Sequence, residues 1–130
     1  MTEILPDLWL YKSRDSKNLV NVFHINCDND LKFLTNAPDK LIEELKQFYE
    51  YTLYKVKTIH EYLKDNRTVV VSCKTGRHLS QIVVAAYLIK YGKLSPGDAM
   101  NAMKSKNGEL FEGTIYYSQV LEKMALSLPR

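Results

Sequence analysis

Cys73 stands where an apolar run meets a short polar loop. Val69-Val70-Val71-Ser72 lead into it, and Lys74-Thr75-Gly76-Arg77-His78-Leu79-Ser80-Gln81 lead out. The chain then turns apolar again through Ile82-Val83-Val84-Ala85-Ala86-Tyr87-Leu88-Ile89. A β-branched run, a glycine-bearing loop and a long apolar run predict a strand–loop–helix unit. It is too apolar on both sides to lie anywhere but the centre of a domain. In such a unit the loop N–H groups and the helix N-terminus converge on one small concavity, and both favour negative charge. The stretch therefore reads as an anion site with a cysteine at its mouth.

The remaining residues must hold that turn in place. At 130 residues the chain predicts a single domain over 1–130, large enough for a core without staples. With 45% hydrophobic, 11% aromatic and 25% charged residues, the composition is that of a globular protein. A net charge of +3 suits an acidic or phosphorylated partner and does not supply the concentrated basic face that nucleic acid demands. The two cysteines, Cys27 and Cys73, read as thiols in a reducing compartment. No run reaches the ~18 apolar residues of a membrane span and no signal pattern opens the chain, so an intracellular, cytoplasmic protein is expected, with the nucleus open to it.

Along the chain, Ile4 to Tyr11 predicts a short strand or hairpin turning at Pro6-Asp7, with Trp9 as a packing anchor. Leu19 to Asn26 predicts an interior strand, in which His24 reads as a hydrogen-bonded core or edge residue and not a ligand. Cys27 has no partner at metal-ligand spacing and reads as structural. Asp28-Asn29-Asp30 is expected to be a turn, and Leu31 to Thr35 a short strand. Leu41, Leu45, Phe48, Thr52, Val56, Ile59 and Leu63 then form one helical stripe. Asp39 suits its N-cap, and Asp65-Asn66 its end. Tyr49, Tyr51 and Tyr54 fall mostly off the stripe, an outer face that could meet a partner. Gly92 is expected to take a left-handed position at the end of the helix after Cys73. Ser95-Pro96-Gly97-Asp98 starts another helix with a capping box, turning Ala99, Met100 and Met103 inward. Thr114 is expected to cap a last helix with Tyr117, Leu121, Met124 and Leu128 on its apolar face. The order predicts an α/β domain, with a small, largely parallel central sheet flanked by helices.

The run VVVSCKTGRHLSQIVVAAYLI resembles the signature of the dual-specificity branch of the cysteine-dependent protein tyrosine phosphatases: His-Cys, five residues, Arg, then Ser or Thr, with a glycine three after the cysteine. ILPDLWL resembles the family's opening strand, LVNVFHINCDNDLKFL its strand-and-turn pattern, and SPGDAMNAMKSKNGELF the helix and loop beyond the signature. The resemblance covers essentially the whole chain and is closest to compact viral-type members. It implies the protein tyrosine phosphatase-like fold and no cofactor or metal. It also implies that Cys73 stands at the nucleophile position, taking a phosphoryl group to form a phosphocysteine. The backbone of Lys74, Thr75, Gly76, Arg77, His78 and Leu79 would line the phosphate, and Ser80 would assist the thiolate as leaving group. Asp39 matches the general acid, although a helix N-cap explains the same residue; Glu43 and Glu44 are the fallbacks.

Two departures shape the functional expectation. Ser72 stands where the family has histidine, and Leu79 where it has arginine. Phosphoryl transfer is nearly all positioning and charge stabilisation, and loss of a transition-state arginine is worth about 10³–10⁵ in rate. Arg77, His78 and Lys74 are placed to form a positive rim without completing the cup. The expected function is that of a pseudophosphatase, a fold-retaining homologue that binds a phosphoprotein or another protein. The alternatives are a weakly active phosphatase using Cys73, Arg77 and Asp39, and an interaction or homodimer module with a vestigial site and the Leu41–Leu63 helix as its surface. No membrane or nucleic-acid partner is expected.

Overall fold

The computed structural model describes residues 2–11, 22–30, 41–73, 79–112 and 118–127. Strands β1 (Thr2–Leu5) and β2 (Leu8–Tyr11) form the expected hairpin, with Asp7 at a φ of 70° in its turn. Strand β3 (Val22–Asn26) lies within the predicted Leu19–Asn26 run, whose first three residues fall outside the described residues, and the residues after it form a helical turn, α1 (Cys27–Asp30), where a simple turn was expected. Then follow α2 (Leu41–Lys64), β4 (Thr68–Ser72), α3 (Leu79–Gly92), α4 (Pro96–Lys106) and α5 (Gln119–Leu126). The expected strand at Leu31–Thr35, Asp39, the loop 74–78, Thr114, Tyr117 and Leu128 lie outside the described residues.

The sheet order is β1-β2-β4-β3, antiparallel only between β1 and β2 and parallel on both sides of β4. Central position explains why β4 is Val-Val-Val: Val69 and Val71 are fully buried and Val70 is nearly so. The register puts Leu8, Leu10, Phe23, Ile25, Val69 and Val71 on one face. That face meets α2 and α3, and α5 packs against both of those helices. Trp9, Tyr11, His24, Val70 and Ser72 alternate onto the other face, where Trp9 is half-buried and outside the main core cluster, not the anchor expected of it.

The long helix α2 has the predicted span, and Phe48, Thr52, Val56 and Ile59 of its stripe are buried. Asn66, left-handed at φ 60°, turns the chain into β4. Its tyrosines are less outward than expected. Tyr49 and Tyr51 are half-buried against the core, with Lys123 Nζ 4.5 Å above the Tyr49 ring, and Tyr54 alone of the three is 68% exposed. Helix α3 is buried from Ile82 to Ile89. It runs through Gly92, so the left-handed position falls one residue later, on Lys93 at φ 58°. Helix α4 is capped as predicted: Ser95 Oγ accepts the Asp98 N–H at 3.1 Å, Pro96 is the first helical residue, and Ala99 and Met103 are buried. Ser118, without a side-chain cap bond, stands at the N-cap of α5, whose Leu121 and Met124 face inward as expected, joined by Val120. No described helix is long and apolar enough to cross a membrane.

Candidate functional site

Parallel strands deliver their C-terminal ends to one edge of the sheet, and in this fold that edge carries the cysteine. The last rung pairs Asn26 of β3 with Ser72 of β4, so Cys27 and Cys73 leave the two strands at the same level. Both are buried, both belong to the same core cluster, and neither is in a disulfide. Cys73 is followed, across the loop, by the first turn of α3. There the Ser80 hydroxyl lies 3.1 Å from Cys73 Sγ and the Ser80 N–H donates to the same sulfur at 3.5 Å. A backbone N–H and a hydroxyl at a helix N-terminus favour the thiolate over the thiol. The structure thus brings Cys73 and Ser80 together, and both are almost wholly buried, at 8% and 3% exposed.

Leu79 is also in the first turn of α3 and is only 2% exposed, packed within the hydrophobic core cluster. An apolar side chain thus lies in the core at the position that the sequence resemblance matched to the signature arginine. Lys74, Thr75, Gly76, Arg77 and His78 fall outside the described residues, as does Asp39. Of the fallback acids, Glu43 is exposed and Glu44 is 3% exposed within the first turn of α2. Among the described residues no cluster of His, Cys, Asp or Glu is arranged to hold a metal ion.

His24 is hydrogen-bonded as expected, but its partner and two further contacts near this edge were not foreseen. His24 Nε2 on β3 lies 2.6 Å from the hydroxyl of Ser72, the residue just before Cys73. Burial pushes the His24 imidazole below its ordinary value, which favours the neutral ring. The signal in the sequence was the alternation of two parallel strands, but using it required a register linking residues 48 positions apart. Second, Gln81 Oε1 accepts the N–H of Phe111 at 2.7 Å, tying the start of α3 to the turn after α4, where Phe111 holds a φ of 60°. Third, Tyr51 donates to Asp30 Oδ2 at 2.7 Å, and Lys55 Nζ lies 3.7 Å from the same carboxylate oxygen. Burial first, then the neighbouring Cys27 and Asp30, push the Tyr51 hydroxyl far above its ordinary value, so it stays a donor. This group fastens α1, which lies against β4 and α3, to α2.

Comparison with known proteins agrees with this geometry. The family model for the dual specificity phosphatase catalytic domain matches residues 10–125. Human dual specificity protein phosphatase 9 is 27% identical over 137 aligned residues, covering 92% of this chain and 35% of that protein. A putative tyrosine phosphatase, 123R, of Invertebrate iridescent virus 6 is 32% identical over 71 residues, covering 54% of this chain and 50% of the viral one. The chain therefore spans about a third to a half of the length of these relatives. Among solved structures, a leucine rich repeat and phosphatase domain containing protein from Entamoeba histolytica superposes with a TM-score of 0.75 at 15% identity, covering 96% of this chain and 90% of that one. Human DUSP28 superposes with a TM-score of 0.73 at 19% identity, covering 97% and 94%. These likenesses show the fold.

Proposed function

This chain belongs to the dual specificity phosphatase family, and we propose that it is a catalytically impaired member that binds phosphorylated protein at the Cys73 turn. The observation that carries this reading is Leu79, an apolar residue buried in the first turn of α3. Transition-state charge on a transferring phosphoryl group needs positioned donors, and without the guanidinium about 10³–10⁵ in rate is forfeited. What remains is enough to bind an anion weakly: the Ser80 hydroxyl and N–H beside the sulfur, and the α3 N-terminus behind them. The basic loop residues Lys74, Arg77 and His78 would add attraction at the rim. The protein would shield a phosphosite, compete with active phosphatases or dock a phosphoprotein, in an intracellular setting and without cofactor.

A second reading, weak phosphatase activity, is favoured by one contact. Cys73 Sγ still has the Ser80 hydroxyl at 3.1 Å, the arrangement that a thiolate leaving group uses. In that reading Cys73 attacks phosphorus, Asp39 protonates the leaving oxygen, and Ser80 helps release the phosphocysteine. The third reading, docking through the tyrosine-bearing face of α2, loses ground because Tyr49 and Tyr51 are engaged inward.

The test pairs a catalytic with a binding measurement. Wild type and Cys73→Ser are assayed on a small aryl phosphate and titrated with phosphotyrosyl and phosphothreonyl peptides beside their unphosphorylated forms. Phosphate-dependent binding with no Cys73-dependent turnover is expected. Turnover that disappears in Cys73→Ser would replace the first reading by the second, and binding indifferent to the phosphate would remove both.

A further inference from the structure

We propose that His24 is a positioning residue for Cys73: through the Ser72 hydroxyl it supplies, from the neighbouring strand, the imidazole that the family signature carries directly before its cysteine. The inference rests on the reading that the Cys73 turn is the working site, whether it binds or cuts.

Geometry carries the argument. Register pairs His24 with Val70 and Asn26 with Ser72, so His24 and Ser72 share one face of the β3–β4 ladder two residues apart along it. The imidazole leans along that diagonal to bring Nε2 within 2.6 Å of the Ser72 hydroxyl. Ser72 is fully buried, so its hydroxyl has no access to solvent as a substitute partner. The described ladder ends at this residue. The His24 bond is thus a side-chain tie at the very end of the strand, one residue before the sulfur. Cys73 in turn depends on its placement to meet the Ser80 hydroxyl at 3.1 Å and N–H at 3.5 Å, contacts that a small swing of the strand end would lose.

The chemistry of the pair fits a fixed tie. A neutral imidazole has one nitrogen that donates and one that accepts, and a hydroxyl answers either. His24 Nε2 already lies 2.6 Å from the hydroxyl of the fully buried Ser72, so a second ring there is expected to crowd the first. A histidine placed at position 72 would meet the one already reaching in from position 24, so the two positions are expected to be interchangeable as a pair and incompatible if both carry rings.

Alkylation of Cys73 by iodoacetamide, with peptide mapping to separate it from Cys27, reads the sulfur directly. Net hydrogen-bond worth sets the scale at about three- to tenfold. His24→Ala and Ser72→Ala should each slow Cys73 alkylation at pH 7 by that factor and move its pH profile upward. The double variant should lose no more than either single change, because both break the same bond. His24→Gln, whose amide can reach the same hydroxyl, should stay near wild type, as should the exchange His24→Ser with Ser72→His. Ser72→His alone should behave like the alanine variants. Should His24→Ala not fold, His24→Gln and the exchange still decide the matter. An unchanged or faster profile in the alanine variants, additive losses in the double, or an exchange worse than either single change would overturn the proposal. Phosphopeptides failing to bind while this alkylation pattern holds would instead sink the functional reading and leave the role of His24 standing.

Discussion

The two ends of α3 are built for different purposes. At its N-terminal end the helix turns a hydroxyl and an N–H onto a sulfur, and polar groups there are spent on Cys73. At its C-terminal end the contacts hold helices together. His60 of α2 stacks on Tyr91 with ring centroids 3.9 Å apart and 7° between planes, and His60 Nδ1 lies 3.4 Å from the Tyr87 hydroxyl. Between the ends, Ile82 to Ile89 are buried without interruption. The difference teaches where function can be changed without unfolding. A substitution at the first turn should alter reactivity, one at the last turn should alter stability, and the buried middle keeps the two effects apart.

The sharpest way to break that division is Leu79→Arg. If the first turn faces a retained phosphate cup, the guanidinium should leave the core and bind the transferring group. Cys73-dependent hydrolysis of an aryl phosphate should then rise by about 10³-fold, the lower end of what such an arginine contributes. If the cup has relaxed, the arginine stays where Leu79 now sits, 2% exposed. Hydrolysis would not appear and the denaturant midpoint would fall, because an unpaired charge in a core is among the costliest changes. A rise in hydrolysis thus marks the first outcome, and a fall in stability without hydrolysis marks the second.

The opposite end is probed by Tyr91→Ala, which removes the ring beneath His60 and a neighbour of Tyr87 at 5.2 Å between centroids. Loss of a half-buried aromatic with its stacking partner should cost about 2 kcal/mol by chemical denaturation. The Cys73 alkylation rate should stay at its wild-type value under native conditions. A slowed sulfur here would mean that the two ends of α3 communicate and that the division drawn above is wrong.

How far these regions were legible in the sequence differs in the same way. Helix α2 was readable because its stripe from Leu41 to Leu63 is a local periodicity, and β4 because a central parallel strand must be apolar on both faces. The Cys73–Ser80 contact was expected from the family resemblance of the signature run, which is local in sequence and needs no long-range pairing. The His24–Ser72 bond was hidden because its partners are 48 residues apart and meet only once β3 has chosen its register on β4. Tyr51 was misjudged because helical periodicity does not show that α1 will bring Asp30 against that side of α2. The turn at Asp28–Asp30 became helical and the left-handed residue shifted from Gly92 to Lys93, because local propensity fixes neither boundary to the residue.

Ser80→Ala sharpens the comparison from the reactive side. The change deletes the hydroxyl 3.1 Å from Sγ and leaves the N–H bond at 3.5 Å in place. Hydrogen bonds to a charged group are worth more than neutral ones, so Cys73 alkylation at pH 7 should slow about tenfold. The midpoint of unfolding should move by less than about 1 kcal/mol, since alanine suits a helix and fits the space. A large loss of stability would show that the first turn is held together by this contact instead of merely serving the sulfur.

The smallest effect expected is a gain, from Lys93→Gly. Lys93 holds a φ of 58°, where a Cβ crowds the backbone, while Gly92 just before it remains within the helix. The side chain of Lys93 is exposed, so little packing is lost with it. Relief of the left-handed strain, about 1–2 kcal/mol, is partly offset by the extra freedom that glycine gives the unfolded chain, about 0.5–1 kcal/mol. The net should be a stabilisation of about 0.5 kcal/mol, visible as a raised denaturant midpoint with an unchanged slope. Its value lies in the null it predicts at the other end. A less strained C-terminal turn should leave both the Cys73 alkylation profile and phosphopeptide binding where they were, because the reactive turn draws its geometry from β4 and Ser80 and not from how α3 ends.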